Sequence, residues 1–93
     1  MLAVVAVAVA LALPVVSSAY PPITCGKTKV GSRVLVVRAH GPTCSFAIKW
    51  VRAFVAHKQQ PPGYRCRAYG AGFPADCLNK THKRRYFQGS AAS

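Results

Sequence analysis

Two periodicities dominate the chain. Between Thr43 and Lys58, apolar residues recur at helical spacing: Cys44, Ala47, Ile48, Val51 and Val55 share one face, opposite Lys49, Arg52, Ala53 and Ala56. Thr43 is placed to cap this helix at its start, His57 and Lys58 suit its C-terminal end, and Pro61-Pro62-Gly63 stops it. Between Tyr64 and Tyr69 the period falls to two, with Tyr64, Cys66 and Ala68 on one side and Arg65, Arg67 and Tyr69 on the other. That is a strand with one face on the core and a basic outer face.

Other segments complete the pattern. Arg33 to Ala39, dense in β-branched residues, predicts a central strand, and His40-Gly41-Pro42 ends it. Thr24 to Thr28 suits a short edge strand before a turn at Lys29 to Ser32, after an extended leader, Tyr20 to Ile23. Gly70 to Pro74 reads as a turn, Ala75 to Leu78 as a short strand, Asn79 to Lys83 as a polar loop and Arg84 to Gln88 as the last strand. Gly89 to Ser93, all small residues, is expected to be a disordered tail. The order is β(β)αββ(β): one amphipathic helix on a small antiparallel sheet, an α+β fold in a single domain spanning 20–88.

The apolar run Leu2 to Leu13, with Ser17 and Ala19 at the −3 and −1 positions of a cleavage site, reads as a secretory signal peptide over residues 1–19. It is shorter than the ~20 residues of a membrane span, so no transmembrane segment is expected after its removal. No Lys or Arg precedes the run, a departure from the usual signal pattern. A mature chain of about 70 residues builds a thin core and needs staples. The exported address and the four cysteines, Cys25, Cys44, Cys66 and Cys77, predict two structural disulfides. Three pairings are possible. A helix antiparallel to the strand before it would bring Cys44 near the turn at Gly70, which favours Cys44 with Cys77 and Cys25 with Cys66; the rival is a bond between Cys66 and Cys77 across that turn.

The succession CG, a strand, GPTCSFAIKWV, then PPGYRC, a cysteine about eleven residues later and a closing aromatic strand resembles small exported proteins of actinobacteria. The resemblance covers Cys25 to Phe87. It implies the fold and the export; the group has no assigned activity, so no catalytic or binding residue carries over.

Charge narrows the function. Thirteen Lys and Arg stand against one acid, Asp76, for a net charge of +12. Paired-carboxylate catalysis is excluded and hard-cation sites are not expected; Asp76 suits a local ion pair. His40, His57 and His82 invite comparison with small ribonucleases, but their spacing gives that no support, and surface positions are expected. An even cysteine count argues for a bonded Cys44 rather than a reactive thiol. Asn79-Lys80-Thr81 fits a glycosylation sequon, which matters only in a eukaryotic source. No catalysis, cofactor or metal is expected.

The candidate anion-binding residues are Arg65 and Arg67 on one strand face and Lys80, Lys83, Arg84 and Arg85 in the C-terminal loop and strand. They predict a monomeric secreted or envelope protein that binds anionic cell-envelope polymers or a secreted partner, with a steep salt dependence. No nucleic-acid-binding motif is present, so no specific nucleic acid is expected. Phe46, Trp50 and Phe54 form an aromatic flank beside the helix core face. Covered, they widen the core; exposed beside Lys49 and Arg52, they would suit the alternative, a cationic membrane-active or antimicrobial polypeptide that inserts into anionic lipid.

Overall fold

The computed structural model describes residues 22–92; the signal peptide, its cleavage site and the first half of the expected leader lie outside them. The described chain runs β1 (Ile23–Val30), β2 (Arg33–His40), α1 (Cys44–His57), β3 (Tyr64–Arg67), β4 (Ala75–Asn79) and β5 (Tyr86–Ala91). All five strands form one antiparallel sheet in the order β1-β2-β5-β4-β3. The hairpin β1-β2 and the meander β3-β4-β5 are joined where β5 pairs with β2, and the helix packs across one face. This is the α+β architecture that the two periodicities predict.

The helix starts where the cap allows. The Phe46 amide donates to Thr43 Oγ1 at 3.2 Å, satisfying a first-turn amide that has no partner within the helix. At the other end Lys58 adopts a left-handed conformation (φ 58°) and donates its amide to the Phe54 carbonyl at 2.8 Å, closing the last turn. Ala47, Val51 and Phe54 are buried against Leu35, Val37 and Ala39 of β2, Tyr64 of β3, Ala75 and Cys77 of β4 and Phe87 of β5. Val51 sits directly on the backbone of Gly89, where a Cβ atom would lie 2.7 Å from Val51 Cγ1.

That contact corrects the expectation of a disordered tail. Gly89 to Ala91 belong to β5, pairing with Leu35 to Val37, and Gly89 is buried because only a residue without a side chain fits beneath Val51. The first strand is also longer than expected, taking in Ile23 and extending to Val30, with Gly31-Ser32 left as a two-residue hairpin turn.

The favoured disulfide pairing is overturned: the bonds are Cys25–Cys44 and Cys66–Cys77. In the β1-β2 hairpin the start of β1 lies beside the end of β2, and the helix begins just beyond that end. The register shifts between Thr24 and Gly26, a β-bulge, leaving Cys25 unpaired in the ladder and free to reach Cys44 with Cα atoms 5.3 Å apart. Gly26 takes φ 108° at the bulge, a region that residues with a Cβ rarely enter. Cys66 and Cys77 are direct register partners on β3 and β4, Cα atoms 4.0 Å apart, as the rival pairing required. No described cysteine is free.

Candidate functional site

The helix covers one face of the sheet and leaves the other without a described element over it. Alternation therefore decides what that open face displays. On β3, Tyr64 and Cys66 turn toward the helix and Arg65 and Arg67 away from it, as the period of two predicts. Register places Leu78 beside Arg65 and Asp76 beside Arg67 on β4.

The β4-β5 loop folds over the same end. The side-chain oxygen of Asn79 accepts hydrogen bonds from the Thr81 amide (3.0 Å), the Thr81 hydroxyl (3.0 Å) and the His82 amide (2.8 Å), a turn that the short polar side chain of asparagine is suited to hold. The Lys80 amide donates to the Gly63 carbonyl at 2.8 Å, tying the loop to the start of β3. Asn79 of the sequon is thus a scaffold residue of this turn. Together these elements enclose a cleft of about 480 Å³, within the ~300 to 1,000 Å³ range of small-molecule sites. Arg65, Arg67, Lys80 and Lys83 bring four cations to it; Tyr69, Asp76, Leu78 and Asn79 complete the lining. Tyr69, 58% exposed, stacks on Phe73 at 5.7 Å.

Four of the six anion-binding candidates meet here. The other two do not: the Arg84 carbonyl accepts a hydrogen bond from His40 Nδ1, and the Arg85 side chain lies against Gly41. Tyr69, Asp76, Leu78 and Asn79 were not among the candidates. For Asp76 and Leu78 the signal was present, since alternation within β4 sets them apart from the core residues Ala75 and Cys77.

Asp76 is half-buried, and burial pushes its carboxyl above the ordinary carboxylate value. Desolvation is the cause of the shift; an ion pair, the role expected for it, would act in the opposite direction. Folding thus favours the protonated form. Its contribution to stability is present in full below the ordinary value and is lost as pH rises through the raised one. Asp76→Asn should raise the melting temperature at pH 7, and the difference from the parent chain should shrink toward zero at pH 3. A variant that melts below the parent at pH 7 would show instead that the ionised carboxylate is stabilising.

The aromatic flank is mostly core. Phe54 is 6% exposed, and Phe46 packs against Tyr64 and Phe87, both at 5.7 Å between ring centres. Trp50 is half-buried beside Phe46, with Lys49 Nζ 5.2 Å from its ring centre. The large apolar residues that remain exposed are Ile23, Val34, Tyr69 and Leu78, none on the helix.

The histidines are dispersed. His57 ends the helix, His82 lies in the β4-β5 loop, and His40 is on the sheet face opposite the helix. Among the described residues no group of three or more His, Cys, Asp or Glu side chains is placed to hold a metal, and no helix is long and apolar enough to cross a membrane. No protein-family model, curated protein or solved structure matches the chain.

Proposed function

We propose that this chain is a small exported binding protein, without catalysis, whose basic cleft takes up the charged groups of an anionic cell-envelope polymer. The observation that carries the reading is the convergence of Arg65, Arg67, Lys80 and Lys83 on one cleft whose single acid is half-buried. Arginine presents a planar fork that matches phosphate and carboxylate, lysine a mobile point charge, so the four suit a string of anionic groups. A cleft of this volume exceeds what one inorganic ion fills. Two disulfides and the absence of a membrane-spanning helix among the described residues are compatible with export or an envelope location. A membrane-active role would draw on an exposed aromatic flank, and the covering of Phe46 and Phe54 counts against it.

Calorimetric titration with inorganic polyphosphate at low and high salt tests the reading. Binding should weaken with salt, and Arg65→Ser/Arg67→Ser should lower the affinity at least about tenfold and flatten the log–log salt slope by about 1.5 to 2 units. Lys49→Ser, on the helix, should leave binding unchanged. An equal loss per charge removed in the two variants would mean that net charge, and not the cleft, attracts the polymer.

A further inference from the structure

Register carries the open face well beyond the cleft. One row of side chains crosses the strands as Arg65, Leu78, Tyr86 and His40; the next runs Arg67, Asp76, Gln88, Arg38 and Thr24. The first row joins a cation to an exposed aliphatic and then to two rings, the second offers hydrogen-bonding groups alongside. Lys27 and Lys29 extend positive charge to the far edge, beside Val36 and Val34.

The rings are held in place. His40 and Tyr86 are stacked, with ring centres 5.4 Å apart and planes 16° from parallel. A carbonyl oxygen can only accept, so the His40 Nδ1 that meets the Arg84 carbonyl carries the proton, and this bond locks the imidazole plane. Strands lie about 4.8 Å apart, so a polymer lying across them passes from Arg65 to the ring pair within about 10 Å. Cations at one end, a fixed aromatic pair in the middle and cations beyond it are the elements of a single-strand platform, in which phosphates meet the charges and a base stacks on the rings.

We propose that the open sheet face binds single-stranded nucleic acid, without reading its sequence, with phosphates at the Arg65/Arg67 cleft and at Arg38 and a base on the Tyr86–His40 pair. This rests on the anion-binding reading of the cleft and goes beyond it, because a ringless chain of anionic groups such as polyphosphate has nothing to lay on the stacked pair.

Fluorescence anisotropy with two labelled strands of about ten nucleotides tests it, one oligothymidylate and one abasic, which carry the same phosphodiester charge. The parent chain should bind oligothymidylate at least about tenfold more tightly than the abasic strand. Tyr86→Leu, which keeps an apolar strand residue, should remove that difference and leave abasic binding unchanged. Equal binding of the two strands by the parent chain overturns the stacking proposal while leaving the cleft intact; failure of both strands and of polyphosphate overturns the cleft as well. Should Tyr86→Leu not fold, ultraviolet cross-linking of oligothymidylate to the parent chain decides: adducts on β2 or β5 support the proposal, and adducts confined to the helix refute it.

Discussion

Replacing Cys25 and Cys44 together by serine is expected to destabilise the folded chain by about 3 kcal/mol, measured as a lower urea midpoint. The bond closes a loop with a sequence separation of 19 and ties the bulge of β1 to the first turn of the helix. Without it the unfolded chain regains the freedom of that loop. The core it supports is small: among the described residues its hydrophobic cluster comprises ten buried side chains, three of them on the helix. A core of that size rarely supplies more than about 3 to 5 kcal/mol, so the loss is a large part of the total and the variant should be substantially unfolded when warm. The Cys66–Cys77 bond, with a separation of 11, closes a shorter loop and should contribute slightly less. An unchanged midpoint in the Cys25/Cys44 variant would mean that the hairpin and helix dock without their tether.

Gly89→Ala should cost about 1 to 3 kcal/mol, a large effect for one methyl group. The added Cβ meets Val51 Cγ1 at 2.7 Å, closer than packed carbons approach, and Val51 is fully buried, where cores are packed too densely for a side chain to give way freely. The helix must lift from β5 or the strand must bend. Either movement loosens the contacts of Phe87, on the same strand, with Phe46 and Tyr64. Val51→Ala removes the methyl groups responsible, so the double variant should be more stable than additivity of the two single losses allows. Strict additivity in that cycle would place the strain elsewhere.

Local pattern revealed much of this fold and long-range pairing the rest. The spacing of Ala47 and Val51 and the cap at Thr43 defined the helix, and the alternation of Tyr64, Arg65, Cys66 and Arg67 identified the face that carries the cleft. A helical projection puts Phe54 on a flank because it does not show how wide a sheet lies beneath it; five strands cover a broader arc than one row of contacts. Gly89 to Ala91 looked like a tail since small residues carry no hydrophobic signal, yet the absence of a side chain is what lets Gly89 pass under Val51. The cysteine pairing depended on the β1 bulge and on the hairpin placing Cys25 beside the helix start, neither of which the spacing of four cysteines encodes. In the cleft, the arginines were legible by alternation. Asp76 and Leu78 became their neighbours only through the β3-β4 register.

The measurement that bears most directly on the cleft as the anion-binding surface is a titration of the ¹⁵N-labelled oxidised protein with polyphosphate, following every backbone amide. Shifts concentrated on Arg65, Arg67 and Asn79 to Lys83, reversed by salt, are the expected result. Shifts centred on Lys49, Trp50 and Arg52, with the β3-β4 amides unmoved, would contradict it and move the binding surface to the helix.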